Sequence, residues 1–149
     1  KAVDQAYGGG VFGVYGNGWG GLGSGHAQLS PLQESAVYAA ARGALSISAR
    51  NDLPRYTSDR LFRLLASGGV PLVEAFPDSD GLGLRDGHNC VMWSGRDGLL
   101  QAVKTALEAP PEETQRLREA AALLGHDHLW PQRLPELLAI VDAVREARR

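Results

Sequence analysis

Thr57, Ser58, Asp59 and Arg60 follow one another directly, with Arg55 two positions before them and Arg63 three after. Each of the first three is a good helix N-cap. Leu61, Phe62, Leu64 and Leu65 then fall on one side of a helix. Gly68 and Gly69 stop it, and the apolar, β-branched residues 70–76 continue as a buried strand. A helix start carries partial positive charge and free N–H groups, so it attracts an anion. Arg55 and Arg60 strengthen that attraction for a phosphate. The same three arginines also suit an ordinary solvated surface. Glu74, near the end of the strand, has two readings: a carboxylate facing a crevice and accepting from a sugar hydroxyl, or a partner for a loop N–H.

Other chemistries find less support. Residues 16–26 hold so much glycine that no regular structure is expected there. Glycines after a strand let a backbone approach a ligand, yet no helix opens directly after this loop, as a dinucleotide fingerprint requires. The loop also lacks the Lys-Ser/Thr ending of a P-loop. Gly21-Leu-Gly-Ser-Gly25 is not the hydrolase elbow Gly-x-Ser-x-Gly. His126 and His128 sit two residues apart, so on a helix they face different ways, and zinc needs more ligands than two. His26 and His88, both in loops, read as surface residues, or as a general acid or phosphate partner. Asp78, Asp80 and Asp86 are turn residues first.

The elements that must position these groups read in chain order as follows. Residues 1–7 suit the end of a helix and residues 11–15 a short strand. Ser30 caps a helix with Pro31 at its first position, running to Arg42 and closed by Gly43. Residues 44–48 form a strand, and a polar loop leads to the helix after Ser58. Residues 77–87 are a loop with room for a helical turn, and residues 89–93 a short buried strand. Leu99, Leu100, Val103 and Leu107 mark the next helix. Pro110 and Pro111 open another, and Leu134, Leu137, Leu138, Val141 and Val144 mark the last. This alternation predicts an α/β fold: a Rossmann-like three-layer domain with a short parallel sheet and C-terminal helices. Ligands bind beyond the carboxyl ends of such strands, which places the 16–25, 49–59 and 77–87 loops on one edge.

With 149 residues, 44% of them hydrophobic, the chain can build one domain with a real core. Fifteen Lys and Arg against 17 Asp and Glu argue against a general nucleic-acid or membrane-surface binder. The single cysteine, Cys90, has no partner for an internal disulfide or a cysteine metal site. No apolar run reaches the roughly 20 residues that span a bilayer, and no signal-peptide pattern opens the chain. The expectation is a cytoplasmic protein. Lys1 in place of Met fits a processed chain, a cut fragment or one piece of a longer protein.

Four stretches together resemble the C-terminal domain of GT-B glycosyltransferases, most closely the CgeB/YkvP-like group of spore-maturation proteins. They are Val14-Tyr-Gly-Asn-Gly-Trp19, residues 38–48, residues 58–73 with their opening Ser58-Asp-Arg-Leu-Phe-Arg63, and His128-Leu-Trp-Pro-Gln-Arg133. The likeness spans roughly residues 11–147. It implies a metal-free domain that needs no cofactor and binds a nucleotide diphosphate-sugar donor. An N-terminal acceptor-binding domain, or a partner chain, would complete the cleft. The resemblance gives the diphosphate to Ser58 and Arg60, flanked by Arg55, Thr57, Asp59 and Arg63. The turn of Gly16, Asn17, Gly18 and Trp19 would approach the donor from the first strand, and Glu74 keeps the two readings given above.

One departure stands out. The resembled family has Glu after the Phe of this helix, and many relatives a second Glu eight residues earlier; here those positions are Arg63 and Arg55. Arginine cannot accept a hydrogen bond from a hydroxyl. A degenerate, non-catalytic binding or interaction module is therefore the rival reading. A free-standing receiver- or flavodoxin-type protein is a third, though no acidic phospho-acceptor pocket is evident.

Overall fold

A computed structural model of the protein describes residues 2–7, 11–18 and 25–148. In chain order it contains α1 (Ala2–Tyr7), β1 (Val14–Tyr15), β2 (Gly25–His26), α2 (Pro31–Ala40), β3 (Ala44–Ser46), α3 (Asp59–Ala66) and β4 (Pro71–Glu74). A 3-10 turn (Asp80–Leu82) follows, then β5 (Val91–Trp93), α4 (Gly95–Glu108), α5 (Pro111–Asp127) and α6 (Trp130–Ala147). β3, β4 and β5 form one all-parallel sheet in that order, with Leu45 opposite Leu72 and Glu74 opposite Trp93. β1 and β2 form a separate parallel pair.

Period-two alternation along β4 sends neighbouring side chains into two different layers. Leu72 packs with Val3 of α1, Trp93 of β5 and Ala102, Val103 and Ala106 of α4. Val73 packs on the opposite face with Leu61 and Leu65 of α3, Cys90, and Ala121 of α5. Helices on both faces of a parallel sheet give the three-layer, Rossmann-like arrangement that the sequence pattern predicts. α6 contributes no buried residue, and its Leu134, Leu137, Leu138, Ile140 and Val144 are exposed.

Local signals account for the element ends. Ser30 Oγ accepts from the Gln33 N–H while Gln33 Oε1 accepts from the Ser30 N–H, a complete capping box that starts α2 where expected. α3 stops because Gly68 takes a left-handed φ of 67°, which a residue with a Cβ adopts only with strain. The strands are shorter than the apolar runs that announce them. β3 ends at Ser46 rather than residue 48, and β4 covers only four of residues 70–76.

The glycine-rich stretch corrects the expectation of no regular structure. Gly25 and His26 pair with Val14 and Tyr15, the Gly16 N–H donates to the His26 carbonyl at 3.2 Å, and the His26 ring stacks on Tyr15 at 4.8 Å. An aromatic pair and a few ladder bonds are enough to hold so short a strand.

Cys90 lies wholly inside the α3/α5 layer. Burial, aided by the negative charge of Asp86, pushes its thiol up to about 12. The neutral thiol is thus favoured by folding. Its contribution is complete below the ordinary thiol pKa and is lost as pH rises toward 12. At pH 8 iodoacetamide should alkylate the folded protein at least ~1000-fold more slowly than the urea-unfolded chain, since only thiolate reacts. Comparable rates in the two states would show that this layer opens freely.

Candidate functional site

The carboxyl ends of β3 and β4 face the start of α3, and the polar groups gather there. Ser48 donates to Thr57 Oγ1 at 3.3 Å, tying the exit of β3 to the residue before the helix cap. Asn51 donates its amide to Glu74 Oε2, which holds the carboxylate at the end of β4. Two polar atoms in this cluster, Asn51 Oδ1 and Ser58 Oγ, are buried without a hydrogen-bond partner among the described residues. Such groups carry a desolvation cost of roughly 1–3 kcal/mol until something pairs with them. Ser58 has the extended backbone of an N-cap, yet its hydroxyl makes no cap bond.

The three arginines differ sharply. Arg60 is exposed on the first turn of α3 and makes no hydrogen bond or ion pair among the described residues. Arg63 is engaged by Asp59 at 2.9 Å and by Glu34 of α2 at 3.2 Å. Glu34 also accepts from the Tyr38 hydroxyl at 2.7 Å. Burial first, then this bond and the charge of Glu34, push the Tyr38 phenol upward, with Arg60 and Arg63 opposing.

Arg55 pairs with Asp78, and its N–H donates to the Pro77 carbonyl at 3.0 Å, clasping the loop after β3 to the loop after β4. Both Arg55 (φ 55°) and Asp78 (φ 57°) occupy the left-handed region. For arginine that costs about 1–2 kcal/mol, a strain found preferentially at ligand-binding loops. The guanidinium lies against Gly81, where an added Cβ would come within 2.6 Å of Arg55 Nε.

The turn after β1 is less directly placed. Gly16 and Gly18 have φ of 130° and 86°, and Asn17 donates to Gln28 at 3.2 Å. Among the described residues no hydrogen bond joins this turn to residues 51–60. Trp19 lies outside the described residues. His128 meets the Leu82 carbonyl at 3.0 Å and packs on Phe62, while His126 approaches Gln132, so the two rings serve different neighbours. Among the described residues no group of three or more His, Cys, Asp or Glu side chains is arranged to hold a metal ion, and no helix is long and apolar enough to cross a membrane.

Sequence reasoning missed Asn51 and Ser48. Both sit in or before a polar loop, and nothing local marks Asn51 as the partner of a carboxylate 23 residues away. It also missed Glu34 as the counter-charge of Arg63. The cluster can take an anion at the α3 N-terminus beside Arg60, with hydroxyl-accepting oxygens on Asn51 and Glu74 close by. No curated protein and no solved structure matches the chain. A family model described as glycosyl transferase-like matches residues 1–139, nearly the full length, and the protein belongs to that glycosyl transferase-like family.

Proposed function

We propose that the chain is the donor-binding domain of a GT-B glycosyltransferase of the CgeB/YkvP-like group. It would hold a nucleotide diphosphate-sugar while the sugar passes to an acceptor. The observation that carries this reading is the buried Ser58 hydroxyl at the N-cap of α3, two positions before Arg60, both without a partner among the described residues. The diphosphate sits at that helix start, contacted by Thr57, Ser58, the Asp59 N–H and Arg60. Helix dipole and guanidinium stabilise the charge that develops on the leaving diphosphate as the anomeric C–O bond breaks, which is work a metal performs in other enzymes. The Asn51–Glu74 pair offers oxygens to the donor's hydroxyls, and the Gly16–Gly18 turn with Trp19 approaches from β1.

The whole chain is then one Rossmann-like unit, the C-terminal half of a longer, cytoplasmic protein. An acceptor-binding domain on its N-terminal side, or a partner chain, completes the cleft. The exposed apolar face of α6 supports a further packing partner.

Calorimetric titration with UDP, GDP and ADP and their sugar conjugates tests the reading. One base should bind with micromolar Kd, and its sugar conjugate more tightly. Absence of binding to all of them overturns it. The ion pairs of Arg63 with Asp59 and Glu34 favour a second reading, a non-catalytic module that keeps the fold. That reading predicts binding of the conjugate with no release of nucleoside diphosphate even when the acceptor-binding domain and acceptor-bearing extract are both supplied.

A further inference from the structure

A cavity of about 460 Å³ lies along β5, walled by α4 and the first half of α5. Its lining includes Val70, Gly87 and Val91, which precede or begin β4 and β5, so it extends toward the amino-terminal side of the sheet. Neither Ser58, Arg60 nor Glu74 borders it. The site proposed above gathers around the start of α3, while the cavity reaches the carboxyl end of β5 only at Trp93 and Ser94, and nothing in the argument for the cavity depends on that reading.

Its floor is apolar, formed by Val91, Ala102, Ala106 and Leu117 among others. The charged side chains at its rim are already engaged. Arg42 donates to the Ala109 carbonyl at 3.2 Å, Asp86 accepts from the Met92 N–H at 2.8 Å, and Glu113 pairs with Arg116 at 2.6 Å. Two neutral groups in the lining are not. The Trp93 indole N–H and the Thr114 hydroxyl are buried without partners among the described residues, in side chains from residues only 7% and 8% exposed.

These features select a chemistry. A charged ligand would lose its hydration, and the rim offers it opposed charges rather than a net counter-charge, Arg42 against Asp86, with Glu113 already paired to Arg116. A pure hydrocarbon would leave both polar atoms unpaired. An indole N–H only donates, and a threonine hydroxyl can, so both call for an acceptor. We propose that this cavity is an accessory binding site for an uncharged, mostly apolar small molecule bearing a carbonyl or similar acceptor, held by Trp93 and Thr114. The volume is that of an ordinary small-molecule site.

The Trp93 indole resonance in a ¹⁵N–¹H spectrum reads the site directly. The chain has three tryptophans, and Trp93→Phe assigns the peak. Three aromatic probes of similar size separate the alternatives: acetophenone carries the acceptor, ethylbenzene lacks it, and benzoate is charged. Acetophenone should move the Trp93 N–H downfield and saturate with Kd on the order of 1 mM, as its size allows. Ethylbenzene should bind about three- to tenfold more weakly without the downfield shift. Benzoate should leave the peak in place.

Thr105→Leu, at an exposed position in the lining, should weaken acetophenone at least tenfold and leave the melting temperature unchanged. Thr114→Val should weaken it several-fold while the fold holds. The proposal is overturned if the Trp93 peak stays still through the acetophenone titration. It is equally overturned if benzoate matches acetophenone, or if a water cross-peak at the indole N–H persists under saturating acetophenone, which would make water the occupant.

Discussion

Gly125→Ala should destabilise the protein by about 3 kcal/mol, while Gly98→Ala should stabilise it by about 0.5–1 kcal/mol. The substitution is the same and both sites are helical. Gly125 is buried in α5 where that helix crosses α3, and a Cβ there would meet the backbone N of Ala66 at 2.6 Å and the carbonyl carbon of Leu65 at 2.8 Å. These are main-chain atoms of a packed helix, so relief requires the two helices to separate. That loosens the layer around Leu61, Leu65 and Ala121. At Gly98 in α4 the nearest atom is Trp93 Cβ at 3.7 Å, ordinary van der Waals contact. Alanine there only removes backbone entropy from the unfolded chain. Urea unfolding followed by far-UV circular dichroism measures both, and Gly125→Ala should lower Tm by roughly 5–10 °C. A Gly125→Ala variant as stable as its parent would show that α3 and α5 do not approach this closely.

Arg60→Ala should weaken nucleoside diphosphate binding about 10–100-fold, the worth of charge-assisted bonds to phosphate. Folding stability should stay within about 0.5 kcal/mol, because Arg60 is exposed and unpaired among the described residues. Arg60→Lys should recover part of the affinity, keeping the charge but losing the planar fork. Arg55→Ala should change affinity by no more than about threefold, on the same scale, because its guanidinium is already held by Asp78. The affinity of the parent should fall with added salt, and that slope should flatten in Arg60→Ala. Calorimetry at two salt concentrations gives all four readings. Unchanged affinity in Arg60→Ala would remove the diphosphate from the α3 N-terminus.

Helix positions were legible where spacing and punctuation agreed. Ser30 with Pro31 and Gln33, and Leu61, Leu64 and Leu65 before Gly68, each announce an element that the structure contains. The layer order followed, because short apolar strands alternating with helices have few ways to bury both faces. Strand ends were less legible: hydrophobicity marks burial, and Phe76 is buried beyond the last ladder bond of β4. Gly25–His26 was invisible because two residues carry no period.

At the candidate site the residue types could be read but not their engagements. Arg55, Arg60 and Arg63 look alike in sequence. Asp78 and Glu34, far along the chain, pair with Arg55 and Arg63, which leaves Arg60 as the one of the three without a partner among the described residues. In α6 the apolar spacing of Leu134, Leu137, Leu138 and Val141 correctly gave a helix, while its exposure could not be foreseen, since periodicity says nothing of what lies opposite.

The separateness of the two sheets has a kinetic consequence. No ladder bond links β1–β2 to β3–β5 among the described residues, so opening the small pair need not disturb the large one. Amide protons should therefore fall into two exchange populations. Those of Tyr15 and His26 should be replaced by deuterium through local fraying, at rates indifferent to mild denaturant. Those of Leu72 and Val73, in the strand with neighbours on both sides, should be replaced only when the molecule unfolds as a whole.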